Sequence, residues 1–392
     1  MKRYHTILVS FVGVLAVAGA FLFFVRQDFS SQGRIYTKGE QEISGEAVLF
    51  PRVAEETGWQ EYSKPIYLPT PEPLYAIYMT SWIAGTPSRR EDIIRFIESS
   101  EINAVVIDVK DYTGNISFIP EDPELLSYGA QENRIPDIRA FLRALNERGI
   151  YTIARISVFQ DPYMASIRPD LAVKRENGEV WKDYKNILWI DPAAREYWAY
   201  IVRVAKATHA VGFDELNFDY IRFPSDGNMQ DIAYDHWDEK TPPADILEQF
   251  FGYLRAELDE LDVPLSADLF GMVTSNYDDL NIGQVLEKAE PYFDYIAPMV
   301  YPSHYPKTFI GFANPASHPY EVIHYAMSRA ALRLTNASSS PLKLRPWIQD
   351  FDLGAIYDED MIRKEKQAVY DAGLTSWMAW DPANKYTREA YK

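Results

Sequence analysis

A (β/α)8 TIM barrel is the fold that this sequence predicts, and three observations support it. From residue 74 onward, short apolar runs alternate with segments of helical periodicity, eight times over about 320 residues. Polar and charged side chains gather where those runs end. The turn 82–88, after the first run, is not the glycine-rich phosphate loop that a doubly wound open sheet, the alternative fold, usually carries there.

The predicted strands come first in each of the eight units. They are short and rich in β-branched and aromatic residues, as strands of a buried parallel sheet are. They span residues 74–82, 104–111, 151–159, 215–223, 264–271, 295–302, 344–351 and 375–382.

Helical patterns separate the strands. Ser88 and Glu91 form a capping-box pattern at the start of the first predicted helix, and Pro136 suits the first turn of the second. The predicted helices span residues 89–99, 136–148, 193–209, 245–261, 281–290, 320–334 and 359–372.

The N-terminus predicts a membrane anchor over residues 1–26. Its uncharged stretch 6–25 is flanked by basic residues and has the length of a bilayer-spanning helix. A cleaved signal peptide is the alternative, because small residues at 18–20 resemble a cleavage site, but the apolar run continues past them. The basic N-terminal side predicts that the rest of the chain lies outside the cytoplasm. A polar linker over 27–70 and the barrel over 71–392 complete the predicted organisation.

The composition excludes several classes of function. A formal charge of -18 argues against a nucleic-acid partner, which needs a basic surface. The absence of cysteine excludes disulfides, thiolate catalysis and cysteine-bound metals. The six histidines form no zinc-binding pair, so we predict neither a metal nor a cofactor. The acidic loop 225–231 would suit Ca²⁺ or Mg²⁺, although a solvated loop is the simpler interpretation.

Strand alternation predicts which side chains face the barrel interior. Apolar residues such as Val105 and Ile107 suit the helix-facing side, which turns their neighbours inward. Active sites of such barrels lie at the carboxyl ends of the strands, where the longest connections, 160–192, 224–244 and 302–319, also begin. The predicted inward set is Asp108, Lys110, Arg155, Ser157, Asn217, Asp219, Ser266, Asp268, Met299, Tyr301, Gln349 and Trp380.

Two of these carboxyl groups, Asp219 and Asp268, form the predicted catalytic pair. They end adjacent strands, and hydrolysis of a glycosidic bond needs one carboxyl group as acid and a second as nucleophile or base. Asp108 and Asp350 are the reserves, and a structural ion pair is the alternative role for Asp108. The residues predicted to bind substrate or support the pair are Asp108, Lys110, Arg155, Asn217, Arg222, Tyr301, His304, Gln349 and Trp380.

Motifs spread over the predicted barrel resemble a known family. It is the putative glycoside-hydrolase domain family of bacterial secreted or membrane-tethered proteins, long labelled a domain of unknown function. The resemblance covers about residues 74–388 and implies a TIM-barrel glycosidase-like domain. It is carried by 78-YMTSW-82, 107-IDVKDYTG-114, 153-IARISVF-159, 217-NFDYIRFP-224, 267-ADLFG-271, 297-APMVYPSHY-305 and 376-SWMAWDP-382.

A more distant resemblance concerns the fourth strand. The segment 212-GFDELNFDYI-221 is similar to the GFDGLDIDWE motif of family 18 chitinases. Asn217 stands at the middle aspartate of that motif and Ile221 at its acid glutamate, while Tyr301 and Trp380 resemble a tyrosine and a tryptophan of the same superfamily. The comparison implies a sugar cleft without the usual proton donor.

These observations together predict a membrane-anchored glycoside hydrolase. Its substrate would be an extracellular or cell-envelope polysaccharide. The alternative is a non-catalytic barrel that binds or scaffolds glycans, since a fold does not establish an activity.

Overall fold

Eight parallel strands close into a barrel in the computed structural model, which describes residues 64–392. Each strand pairs with its neighbours in chain order, and the last pairs with the first. This topology confirms the predicted TIM barrel and excludes the open sheet. The strands are β1 (Tyr75–Met79), β2 (Ala104–Lys110), β3 (Tyr151–Ser157), β4 (Glu215–Asp219), β5 (Leu265–Phe270), β6 (Tyr295–Met299), β7 (Trp347–Gln349) and β8 (Trp377–Trp380).

Helices surround the barrel. Within residues 64–392, the six helices of nine or more residues are α1 (Pro87–Glu98), α2 (Ile138–Asn146), α3 (Arg195–Ala210), α4 (Pro243–Leu258), α5 (Pro319–Asn336) and α6 (Glu359–Asp371).

Three details of the helix prediction are wrong. Pro136 is not in the first turn of α2, because that helix begins at Ile138 with Asp137 as its N-cap. The structure shows no capping box at Ser88, because α1 already begins at Pro87, whose fixed φ suits the first helical position. The helix predicted over 281–290 is reduced to Leu286–Ala289. Asn281 has a φ of 54°, a left-handed conformation that an α-helix does not contain.

Strand alternation divides the apolar residues into two layers. Along β2, Val105 and Ile107 pack toward the helices, while Val106 packs inside the barrel with Tyr78 and Ile153. Burying such side chains contributes roughly 1.5–3 kcal/mol each. The outward placement of Val105 and Ile107 confirms the predicted alternation.

The long connections after β3 and β4 pack against each other. Lys174–Arg175 and Ile232–Ala233 form a small antiparallel sheet. Trp181 fills the space beside Gly227, where a Cβ would lie 2.1 Å from the indole ring. A glycine is therefore required at position 227. The two connections form one wall above the carboxyl ends of β3 and β4.

The segment that precedes β1 covers the opposite, amino end of the barrel. The amide of Leu68 donates to Asp214 Oδ1 at 2.7 Å, and Thr70 Oγ1 lies 3.0 Å from Tyr151 Oη. Asn146 donates to the carbonyl of Ile66. Residues 65–70, which the sequence assigns to the linker, therefore contact the barrel.

Nothing between residues 64 and 392 forms a helix long and apolar enough to cross a bilayer. The predicted anchor over 1–26 and residues 27–63 of the predicted linker lie outside the described residues.

Candidate active site

One arginine and three carboxyl groups meet inside the barrel at the carboxyl ends of β2 to β5. Arg155 Nη1 donates to Asp108 Oδ1 at 2.6 Å, and Nε donates to Asp219 Oδ2 at 3.0 Å. The same Nε lies 3.8 Å from Asp268 Oδ2. We call Asp108, Arg155, Asp219 and Asp268 the charged cluster. Because all four are buried and only one is a cation, the cluster favours a proton on a carboxyl group.

Asp268 is the carboxyl group that holds this proton. Its Oδ1 accepts hydrogen bonds from Asn217 Nδ2 at 2.9 Å and Trp347 Nε1 at 2.8 Å. Its Oδ2 has no hydrogen-bond partner among the described residues. Burial, followed by the negative charge of Asp219, raises the pKa of Asp268 to about 8. Both effects favour the neutral form of the side chain, and Oδ2 is the oxygen left to carry the proton.

Asp219 is held by donors on both oxygens. Arg155 donates to Oδ2 through Nε and Nη2, and the Tyr220 amide donates to Oδ1 at 2.6 Å. Tyr220 has a φ of 52°, which is uncommon for an aromatic residue and turns the chain sharply where β4 ends. Strained residues of this kind concentrate at functional sites.

Asp108 and two aromatic rings form the side of the cluster nearest β1 and β8. The Tyr78 hydroxyl donates to Asp108, and its ring stacks on Trp380 with centroids 3.8 Å apart. Burial raises the pKa of Asp108. The Arg155 guanidinium lies 4.9 Å from the centre of the Trp380 ring. Trp380 is partly exposed, so one surface of this aromatic pair is open to the barrel mouth.

Tyr301, His304 and Gln349 lie on the β6 and β7 side. Tyr301 is buried among the interior residues of the barrel, and burial followed by the charges of Asp268 and Asp219 raises its pKa well above the usual value. The His304 ring is exposed, with its centre 5.3 Å from that of Tyr301. Gln349 accepts a hydrogen bond from Ser303 Oγ at 2.8 Å and so anchors the turn that carries His304.

Lys110 and Arg222 lie outside the charged cluster. A register shift between Asp108 and Lys110 turns the lysine away, and it forms a fully buried ion pair with Asp161 at 2.9 Å. Arg222 packs on Trp189, with its guanidinium 4.8 Å from the ring centre. Neither side chain supports the catalytic pair as the sequence predicted.

The reserve Asp350 is also elsewhere. Its Oδ2 accepts hydrogen bonds from the Tyr391 hydroxyl at 2.8 Å and the Thr387 amide at 3.0 Å. These partners belong to the C-terminal segment, so Asp350 is a structural residue.

Sequence reasoning missed Tyr78 and Trp347 as members of the site. Both belong to apolar runs, in which a tyrosine or tryptophan cannot be distinguished from a core residue. Tyr78 nevertheless shares strand parity with the interior residue Ala76. A buried tyrosine or tryptophan also needs a partner for its polar atom. Parity and that requirement together are the signal that could have identified Tyr78.

No group of three or more histidine, aspartate or glutamate side chains within residues 64–392 could hold a metal ion. In the charged cluster the Arg155 guanidinium lies where a cation would neutralise the three carboxyl groups.

Comparison with known proteins decides the family. Residues 76–386 match the family described as a putative glycosyl hydrolase domain. The chain belongs to this family. Membership confirms the resemblance inferred from the motifs and the predicted class, glycoside hydrolase. No curated protein matches the chain.

Several solved structures are similar to this member of the family. The glycoside hydrolase domain of PgaB (BpsB) from Bordetella bronchiseptica is 14% identical, with a TM-score of 0.60 over 81% of this chain and 97% of that one. A hypothetical protein from Ruminiclostridium thermocellum is 33% identical over 49% of this chain and 96% of its own, with a TM-score of 0.45. A chitinase from Chromobacterium violaceum is 13% identical over 81% and 98%, with a TM-score of 0.47.

Proposed function

We propose that this chain hydrolyses O-glycosidic bonds in an extracellular or cell-envelope polysaccharide by a two-carboxylate mechanism. The observation that carries the proposal is the contrast between two neighbouring carboxyl groups. Asp219 is paired with Arg155, and Asp268 is buried with a pKa of about 8. Two carboxyl groups whose environments separate their protonation states are the equipment of a glycosidase.

Asp268 is the acid in this mechanism. Its Oδ2 proton passes to the glycosidic oxygen as the bond between that oxygen and the anomeric carbon breaks. Asn217 and Trp347 hold the other oxygen and so fix the direction of the proton. The chitinase-type acid is absent, because Ile221, at the position of that glutamate, is fully buried in the outer apolar core. The acid thus comes from β5 instead of β4.

Asp219 is the nucleophile. Its carboxylate attacks the anomeric carbon, and water then hydrolyses the glycosyl-enzyme bond while Asp268, now deprotonated, accepts a proton from that water. Asp219 and Asp268 both approach Nε of Arg155, at 3.0 and 3.8 Å. The two Oδ2 atoms are therefore separated by no more than the sum of these distances, and a carboxyl spacing of about 5–5.5 Å gives retention of configuration. Proton NMR of the first product formed would show the retained anomer.

The test of the proposed function is the release of new reducing ends. The full-length protein is incubated with a panel of bacterial envelope and extracellular polysaccharides, beside Asp219→Asn and Asp268→Asn. Both variants should lose turnover by at least about a hundredfold, since each removes a group that acts only in the transition state. Asp350→Asn is the matched control, because it changes a buried carboxyl group outside the cluster and should keep activity.

Binding without hydrolysis is the outcome that contradicts the proposal. If the wild type binds a polysaccharide, releases no reducing ends and binds equally well as either asparagine variant, the chain is a glycan-binding barrel. The aspartates would then be structural ion-pair residues.

We also propose that residues 1–26 anchor the protein in the membrane, with residues 27–64 as linker and the barrel on the outer side. The uncharged run and its flanking basic residues support this arrangement. Protease added to intact cells should remove the barrel and leave a short membrane-bound fragment. A soluble, secreted protein with a new N-terminus near residue 20 would contradict the anchor.

A further inference from the structure

Two aromatic side chains stand exposed beside the barrel mouth. Trp82 follows β1 and Tyr112 follows β2, so both lie at the carboxyl ends of their strands. Their exposed fractions are 59% and 57%. Large apolar side chains exposed next to a functional site commonly mark a binding surface.

One face of the Trp82 ring packs against a buried arginine. The Arg134 guanidinium lies 4.5 Å from the centre of the Trp82 ring. It also donates to Ser81 Oγ at 3.1 Å and to Glu132 Oε2 at 2.6 Å, and it pairs with Asp111. Because these contacts fix the guanidinium, they also fix the ring that packs on it. One face of the indole is therefore held and the other is free.

Tyr112 lies next in the chain to a residue that fixes the arginine under the Trp82 ring. It directly follows Asp111, the partner of Arg134. Burial and then the charges of Asp111 and Asp108 raise the pKa of Tyr112. Arg134 contacts both the Trp82 ring and the residue before Tyr112, so the two aromatic residues belong to neighbouring strand ends. Trp82 and Tyr112 thus extend the mouth toward the β1 and β2 side.

We propose that Trp82 and Tyr112 form a distal sugar-binding subsite, and that the enzyme selects polysaccharide chains several sugars long. This inference rests on the proposed function. A pyranose ring has an apolar face of C–H groups, which packs against a fixed aromatic face without losing the hydration of its hydroxyl groups at the edge. Trp82 follows β1 and Asp219 ends β4, three strands further around the barrel, so a ligand that contacts both must extend across that part of the mouth.

Binding is tested separately from hydrolysis. The full-length Asp219→Asn protein, which we expect to bind without turnover, is run in native gels that contain poly-N-acetylglucosamine, soluble peptidoglycan, a galactan or carboxymethyl cellulose. Adding Trp82→Ala or Tyr112→Ala should weaken retention by the best polysaccharide about tenfold. Trp82→Phe, which keeps an aromatic face, should weaken it less.

Tyr277→Ala is the matched control. Tyr277 is also exposed and also lies over a buried arginine, Arg333, at 4.4 Å, but that arginine belongs to the outer helix α5. Its removal should leave retention unchanged. Equal retention of all variants, or no retention of the parent protein by any polysaccharide, would overturn the subsite. Unchanged melting temperatures show that each variant is folded.

Hydrolysis then separates the two proposals. With otherwise wild-type protein and oligomers of the retained polysaccharide, Trp82→Ala should lower kcat/KM about tenfold for six sugars and leave it unchanged for two. Retention that depends on Trp82 in a protein that hydrolyses nothing would refute the proposed function and keep the subsite. Hydrolysis with the same length dependence in Trp82→Ala would refute the subsite and keep the function.

Discussion

At the scale of single residues, the protonation of Asp268 is the property on which the chemistry depends. Water is excluded from this carboxyl group, and the neighbouring Asp219 adds a negative charge. Both effects favour the neutral form. The hydrogen bonds from Asn217 and Trp347 oppose them and are too weak to restore the usual pKa. Asp268 can therefore donate a proton at a pH where an ordinary aspartate is ionised.

This pKa predicts a pH-dependent difference in stability. A carboxyl group whose pKa is raised by folding stabilises the protein fully below its unfolded pKa, about 4, and this contribution is lost as the pH rises through about 8. Asp268→Asn lacks the titration. The melting temperature of the variant relative to the wild type should therefore increase between pH 4 and pH 9. A difference that stays constant over this range would contradict the raised pKa.

The alternation of side chains along each strand predicts most of the residues of the candidate site. Parity alone brings Asp108, Arg155, Asn217, Asp219 and Asp268 to one end of the barrel. It cannot predict which of the two aspartates proposed as catalytic has the raised pKa, because that depends on distances between side chains on different strands.

At the scale of elements, the bulge in β2 determines the direction in which the Lys110 side chain points. The register shifts between Asp108 and Lys110, so that Asp108 faces the charged cluster and Lys110 faces Asp161 after β3. Lys110 also donates to the Ser157 carbonyl at 2.8 Å, and Tyr197 donates to Asp161 Oδ2 at 2.7 Å. This pair connects β2, the end of β3 and α3.

Removing the anionic partner tests that connection. Asp161→Ala leaves Lys110 as an unpaired buried cation, which should lower the free energy of unfolding by about 3–5 kcal/mol. The double variant with Lys110→Met should recover part of this loss, because the charge is then gone. Urea unfolding of both variants measures the effect. A loss below about 1 kcal/mol for Asp161→Ala would show that water reaches the lysine.

The sequence predicts the strands, but it does not predict the bulge in β2 or the loss of the helix expected over 281–290. Strict alternation of side chains assumes an unbroken strand, and a bulge violates that assumption without a sequence signal at Lys110. The predicted helix 281–290 failed for a similar reason, since its apolar residues satisfy a helical pattern while Asn281 adopts a left-handed conformation.

At the scale of the whole molecule, the two ends of the barrel differ in the residues that they expose and in the segments that cover them. The carboxyl end holds the charged cluster and the exposed rings of Trp82 and Tyr112, which we propose as a subsite. The amino end is covered by residues 65–70, which bind Asp214 and Tyr151. Burial raises the pKa of Asp214 to about 6, as expected for a carboxyl group enclosed by this segment. From the sequence, residues 65–70 are predicted to be linker because their proline-rich composition shows no periodicity.

Deleting residues 65–70 should therefore lower stability without damaging catalysis. The deletion exposes the apolar amino end and leaves Asp214 without the Leu68 amide as a donor. We expect a lower melting temperature and an unchanged kcat at a temperature where the protein is still folded. A melting temperature equal to that of the wild type would show that the segment contributes nothing to the barrel.

The measurement that tests the central claim most directly is the pH dependence of kcat with the polysaccharide that the wild type cleaves. If Asp268 is the acid, kcat should fall as the pH rises above about 8, because the proton is then lost. Asp268→Asn should be at least about a hundredfold slower at every pH below that limit. A wild-type kcat that stays constant to pH 10, or an Asp268→Asn variant as fast as the wild type, would contradict the assignment of Asp268 as the catalytic acid.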